Sequence, residues 1–325
     1  MSPTAAGTAA VTLESLRAAA RVLEGVAART PLLHLPDLAD RVGVPVALKC
    51  EQLQPIGAFK IRGAYTAIAR VAADGARGVV TQSSGNHGQA VAFAARCFGL
   101  RAVVVMPAST PAVKVEGVRR HGGEVVFAGA TRSGEQRVRA EAIALDDGLA
   151  MIPPYDHPDV VAGQGTCGLE ILEQRAGVGT ILVPVSGGGL IAGISVAVAA
   201  LAPAVRVVGV EPAGAAKLTA ALAAGAPRTL DRTESIADGL LARSVGDLTF
   251  GILRSVVREA VTVTEDEIAA GVRYLYHQAD LRVEPSGAVT VAALLAGRVR
   301  PSGPTVAVLS GGNVDPELHQ RLVAE

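Results

Sequence analysis

The chain has 325 residues, enough for one large or two medium domains with substantial cores, and half of it is apolar. Basic and acidic residues balance at 30 each, Trp is absent and aromatics are 3%, so neither the charge footprint nor the stacking platforms of a nucleic-acid binder are present. Arg, Asp, Gly or Pro interrupts every apolar run before it reaches membrane-spanning length, so a membrane is not an expected partner either.

The opening stretch, MSPTAAGTAAVTLESLRAAARVL, lacks the basic n-region and unbroken h-region of a signal peptide. Its later part predicts an amphipathic helix with Leu13, Leu16, Ala20 and Leu23 on one face, and a cytoplasmic protein is expected. From Gly78 the elements follow in order: a strand at Val79 and Val80, the polar loop Gln82-Ser83-Ser84-Gly85-Asn86, and an Ala-rich helix. A strand at Ala102–Met106, a helix opened by Pro111, a strand at Glu124–Phe127 and a helix over Glu135–Leu145 come next. After Pro153-Pro154 the pattern restarts with a strand at Ile181–Val185, the loop Ser186-Gly187-Gly188-Gly189 and a helix over Leu190–Leu201. Strands at Val205–Val210 and Val306–Leu309 follow, the last running into Ser310-Gly311-Gly312-Asn313. Short Val/Ile/Leu strands alternating with helices are the βαβ signature, and continuous rather than alternating apolar runs mean strands covered on both faces. The fold class is therefore α/β, with two open parallel-sheet lobes and a cleft between them.

Ligands of open parallel sheets sit beyond the carboxyl ends of the strands, where the loops at 82–86, 186–189 and 310–313 fall. Ser186–Gly189 opens a helix, so its backbone N–H groups can cradle an anion. No Gly-Lys-Ser/Thr follows it and no G-x-G-x-x-G occurs there, which excludes a P-loop and a dinucleotide fingerprint. Cys50, Cys97 and Cys167 are odd in number, far apart and without CxxC or nearby His, so all three are expected to be small buried apolar side chains. Neither a disulfide nor a metal site is expected.

Of the basic residues only Lys49, Lys60, Lys114 and Lys217 are lysines. Lys60 follows a turn made by Pro55 and Gly57, is flanked by apolar residues, and precedes a helix beginning near Ile61. A lysine in a partly desolvated pocket has a lowered pKa, and its neutral amine can add to an aldehyde. A plain surface charge is the competing reading.

The segment GAFKIRGA (Gly57–Ala64) resembles the lysine motif of fold-type II pyridoxal-phosphate (PLP) enzymes, the tryptophan-synthase-β group, and especially serine/threonine dehydratases and serine racemases. The likeness runs collinearly through SSGNHGQA, AGQGT, SGGGL, VEP, IADG, TVTEDEI and LSGGN. It implies that Lys60 carries PLP as a Schiff base and transfers protons once substrate displaces it. Phe59 is then expected against the pyridine ring, Asn86 at its phenolic oxygen, Ser310 at its nitrogen and Glu284 nearby. Ser186, Gly187, Gly188, Gly189 and Leu190 would hold the phosphate, and Ser83, Ser84, Gly85, Asn86 and His87 the substrate carboxylate. The resemblance also implies a large domain of residues 1–80 and 153–325, a small domain of residues 81–152 inserted in it, and a homodimer.

Four departures from the family pattern bear on the reaction. Ala58 replaces the usual serine beside the lysine, and Ser186 replaces the first glycine of a tetraglycine loop. Where serine racemases pair a glutamate with an aspartate six residues on to bind a divalent cation, this chain has Glu211 and Lys217, so the ammonium is expected in the cation's place. The racemase arginine over the site aligns loosely with Gly134, with Arg132 two residues before. Ser84 matches the racemases' second acid/base, although serine occurs there in dehydratases too. The chain ends at Glu325 soon after LSGGN, so a regulatory domain of the isoleucine-controlled type is not expected.

The resemblance thus implies α,β-elimination of L-threonine, L-serine or a specialised hydroxyamino acid, derived from hydroxyectoine or like 3-hydroxyaspartate. A serine or other amino-acid racemase is the alternative. An oxidoreductase would need the absent dinucleotide fingerprint.

Overall fold

The computed structural model describes residues 11–131 and 134–324. It opens with α1 (Leu13–Val22), where Ser15 N–H donates to Thr12 Oγ1 and Thr12 N–H donates back to Ser15 Oγ, closing a reciprocal cap. Then come β1 (Leu32–His34), α2 (Pro36–Val42), β2 (Val46–Cys50) and α3 (Lys60–Ala73). A strictly alternating stretch follows: β3 (Gly78–Gln82), α4 (Asn86–Cys97), β4 (Arg101–Met106), α5 (Ala112–Arg120), β5 (Glu124–Phe127), α6 (Glu135–Asp147) and β6 (Ala150–Met151). Next are α7 (Pro158–Gln174), β7 (Thr180–Pro184), α8 (Gly189–Leu201), β8 (Arg206–Pro212), α9 (Lys217–Ala224) and α10 (Asp247–Val256). The chain closes with β9 (Glu259–Val263), α11 (Glu265–Ala279), α12 (Pro285–Leu295), β10 (Thr305–Leu309) and α13 (Pro316–Ala324).

The strands form two sheets. The larger has the order β1-β2-β10-β7-β8-β9 and the smaller β5-β4-β3-β6. All pairings are parallel except β1 with β2, an antiparallel edge that continuous apolar runs did not reveal. β3 lies wholly in the smaller sheet, so a domain division at 80/81 falls inside that strand.

Every residue of β2, β7 and β10 is buried, which is why these strands carry Val, Leu and Ile on both faces. One face of the large sheet packs Ile181, Val183 and Val306 against α1, α7, α8 and α10. The other packs Leu48, Leu182 and Ala307 against α2, α11 and α12. Each Val, Leu or Ile among them contributes about 1.5–3 kcal/mol on burial. The two helices α7 and α8 approach through glycine: a Cβ on Gly193 would lie 2.5 Å from the Val161 carbonyl oxygen. A side chain there would force the helices apart.

Cys50 and Cys167 are buried as expected, but Cys97 is exposed, at the last turn of α4. The lack of a CxxC pair or nearby His excludes a disulfide or metal role but does not say which side of the helix the thiol takes. Among the described residues no helix is long and apolar enough to cross a membrane.

Candidate active site

The loops after β3, β7 and β10 open into one cleft of about 790 Å³ lined by residues of both lobes. All the residues expected from the motifs line it: Phe59, Lys60, Ser83–His87, Ser186–Leu190, Glu284 and Ser310.

Lys60 is the first residue of α3, one position earlier than the sequence placed the helix start. The turn before it is tied to the loop after β10. Phe59 N–H donates to the Ser310 carbonyl at 3.1 Å, Gly312 N–H donates to the Gly57 carbonyl at 2.9 Å, and Ala58 bridges Gly311. Gly57 has φ of 72°, a left-handed conformation, and a Cβ there would collide with the Asn313 amide. The Lys60 Nζ donates to the Pro154 carbonyl at 2.6 Å and lies 5.2 Å from the centre of the Phe59 ring. Burial pushes its pKa down to about 8. The plain surface-charge reading of this lysine is thereby excluded.

Two residues beyond, Arg62 fixes the start of α3 from below. Its Nε and Nη2 donate to the two Glu51 oxygens at 2.7 and 2.8 Å, and Nη1 donates to Glu170 at 2.6 Å. Burial pushes the Glu51 carboxyl up, but the charge and hydrogen bonds of Arg62, with Lys49 and Thr30, together outweigh it and hold the group below its ordinary range. Lys49 joins the same cluster through Glu170.

On the small-lobe side, Asn86 begins α4. Its Nδ2 donates to Glu284 Oε1 at 2.7 Å, and its Oδ1 accepts from Asn313 Nδ2 at 2.8 Å. Glu284 is buried, and its pKa is pushed up to about 8, first by burial and then by the nearby Asp238, against the pull of Lys114. His87 is also buried; its Nε2 donates to the Ile152 carbonyl at 3.0 Å, and burial followed by the Lys60 charge drives its pKa down to about 3. Its ring is thus a neutral pin inside the small lobe. Ser83 Oγ accepts from Gly85 N–H at 3.3 Å.

The glycine loop follows β7. Gly188 has φ of 95° and caps α8, which starts at Gly189. Ser186 Oγ accepts from Ala242 N–H at 3.4 Å, which leaves its hydroxyl proton for another acceptor. Ser310 Oγ donates to the Ser286 carbonyl at a long 3.4 Å.

Motifs alone miss several cleft residues. Asn313 stands in LSGGN and Asp238 in IADG, yet the motifs assign neither a role. Lys114 of α5, one of four lysines, pairs with Asp238 across the two lobes. Pro154 and Tyr155 carry no signal beyond a double proline.

At the position compared with a metal site, Lys217 Nζ lies 3.2 Å from Glu211 Oε1 and donates to the Ala215 and Leu240 carbonyls at 2.6 and 3.0 Å. Lysine and glutamate are both fully buried. Among the described residues no group of three or more His, Cys, Asp and Glu side chains is placed to hold a metal ion. Gly134 lines the cleft, while Arg132 lies outside the described residues.

Residues 23–311 match the family model described as pyridoxal-phosphate dependent enzyme. The biosynthetic L-threonine dehydratase of Pasteurella multocida is 44% identical over 270 residues, covering 83% of this chain and 52% of that protein. The chain therefore spans about half the length of that relative. Among solved structures, maize serine racemase matches with a TM-score of 0.92 at 36% identity, covering 96% of each chain. The processed form of a threonine deaminase from Solanum lycopersicum matches with a TM-score of 0.87 at 35% identity, covering 96% of this chain and 93% of that one.

Proposed function

The chain belongs to the pyridoxal-phosphate dependent enzyme family, with its fold type II architecture, and we propose that it dehydrates and deaminates a β-hydroxyamino acid, L-threonine or L-serine, to a 2-oxo acid and ammonia. The observation that carries this reading is Lys60, a partly buried lysine whose desolvated amine has a lowered pKa, in one cleft with a glycine loop that opens a helix.

The residues fit the cofactor chemically. Lys60 offers a neutral amine for an aldehyde, the Gly187–Leu190 backbone N–H groups suit a phosphate at the N-terminus of α8, and Asn86 and Ser310 suit the polar atoms of a ring. When bound, PLP supplies an electrophilic carbonyl for the substrate amine and a conjugated ring that accepts the electron pair left at Cα. Lys60 Nζ takes the Cα proton. A pKa of about 8 leaves roughly a tenth of the amine neutral at pH 7, far more than an ordinary lysine would. The Ser83–His87 loop, at the N-terminus of α4, holds the substrate carboxylate where the helix dipole favours an anion. A neutral Ser310 hydroxyl, unlike a carboxylate, does not hold a ring nitrogen protonated, which favours prompt loss of the β-hydroxyl. Loss of that hydroxyl with the Cα proton releases water. Hydrolysis of the resulting enamine consumes water and releases ammonia, so threonine gives 2-oxobutanoate.

Both Lys217 and Glu211 are buried without room between them, which supports an ammonium in place of a divalent cation. We propose the cytoplasm as the compartment and, from the family resemblance, a homodimer as the assembly.

A racemase is the second reading, favoured by Ser84, a hydroxyl lining the same cleft as Lys60. Proton NMR of the PLP-loaded enzyme with L-threonine in D2O separates the two. Formation of 2-oxobutanoate is the expected result. D-allo-threonine in its place would put the racemase first.

A further inference from the structure

The glycine loop does not hold its own shape. Its Gly187 carbonyl accepts two hydrogen bonds from behind the cleft, from Gly246 N–H at 3.1 Å and from Thr249 Oγ1 at 2.8 Å, the shorter of that hydroxyl's two acceptors, the Gly246 carbonyl lying 3.1 Å away. Thr249 is fully buried and does not line the cleft. Both donors sit at the start of α10, Gly246 as its N-cap and Thr249 in its first turn, and that turn is capped by a carboxylate from a distant segment. Asp156 Oδ2 accepts from Asp247 N–H at 3.2 Å and Asp156 Oδ1 accepts from Thr249 N–H at 3.1 Å. A Cβ at Gly246 would collide with that carboxylate, so glycine is required for the approach.

Asp156 ends a three-residue segment that also touches the other functional parts. The Pro154 carbonyl accepts from Lys60 Nζ, and the Tyr155 ring packs directly on Gly187. One short segment therefore reaches the reactive amine, the glycine loop and the helix that braces the loop.

We propose that Thr249 and Asp156 are positioning residues for the cofactor phosphate, holding the Gly187 carbonyl away from the cleft so that the loop's N–H groups face into it. The inference rests on the reading that this loop receives the phosphate of PLP. It goes beyond that reading in locating the cause of the loop's geometry in residues that touch no cofactor atom. Without the Thr249 hydroxyl, the carbonyl keeps only the Gly246 N–H and the peptide is held less firmly, so that its acceptor oxygen can turn toward the anion. An Asp156 side chain cut to alanine reaches the same result by loosening the α10 turn.

The test compares PLP with pyridoxal, which has the same ring and aldehyde but no phosphate, by absorbance titration of the full-length cofactor-free protein. Wild type is expected to bind PLP far more tightly than pyridoxal. Thr249→Val should weaken PLP about tenfold, the value of one buried hydrogen bond, and leave pyridoxal unchanged, and Thr249→Ser should restore PLP. Asp156→Ala should weaken PLP selectively in the same direction. If wild type prefers PLP but Thr249→Val and Asp156→Ala bind both ligands as wild type does, the brace is wrong. An equal loss for both ligands in both variants overturns it as well, because the effect would then be general. A wild type that binds both ligands equally would instead refute the phosphate reading of the loop.

Discussion

Glu284 makes stability depend on pH in a way the fold itself specifies. Its carboxyl is buried beside Asn86 and Asp238, and its pKa rises to about 8 against an ordinary value of 4.5. A raised carboxyl pKa means that the folded chain keeps a proton the unfolded chain has released. The contribution of this group is then greatest below pH 4.5 and falls as the pH rises toward 8, at about 1.4 kcal/mol per unit. Between pH 6 and pH 8 this single group removes about 2 kcal/mol, and above about pH 9 its effect is flat. Glu284→Gln keeps the size and an acceptor oxygen for Asn86 while removing the titration. In urea denaturation across about pH 5 to 10, the wild type should lose stability relative to the glutamine variant through the neutral range, then run parallel to it. A constant difference from about pH 5 to 8 would refute the burial argument.

Three other outcomes follow from the same geometry. The rate at which Lys60 of the cofactor-free protein reacts with pyridoxal should level off above about pH 8, where burial places its pKa, and a rate still climbing toward the ordinary 10.5 would contradict the desolvated pocket. Arg62→Ala leaves Glu51 buried without its bidentate partner and should cost about 3–5 kcal/mol in chemical denaturation; a loss under about 1 kcal/mol would mean that the cluster is not what anchors α3. Activity after dialysis against a chelator should not depend on added magnesium, because the Lys217 ammonium already bonds Glu211 and two carbonyls; a large magnesium-dependent recovery would overturn that assignment.

Much of this site was legible because its chemistry sits in contiguous loops at strand ends. Val79-Val80, Ile181–Val185 and Val306–Leu309 are short apolar runs with polar or glycine-rich exits, and the folded strands end within a residue or two of those limits. The antiparallel β1 was not legible, since a three-residue edge strand has too little pattern to show direction. Cys97 was misplaced because the lack of a disulfide or metal pattern says nothing of the side of the helix on which it falls. The partners of functional residues were the least legible. Glu284 with Asn86 is a pairing across 198 positions and Lys114 with Asp238 one across 124, which no local spacing encodes. Thr249 gave no signal at all, because its role depends on a carbonyl in a distant loop. The Arg62 cluster was equally silent, for burial of charge is visible only once α3 and α7 are packed together.

The central claim is that Lys60 is the residue that carries PLP, and borohydride reduction of the loaded enzyme followed by peptide mass analysis tests it most directly. With four lysines in the chain, the assignment is unambiguous. The account predicts loss of visible absorbance and a phosphopyridoxyl group on the peptide containing Lys60. Label on Lys49, Lys114 or Lys217 in its place, or a protein that takes up no cofactor, would contradict it.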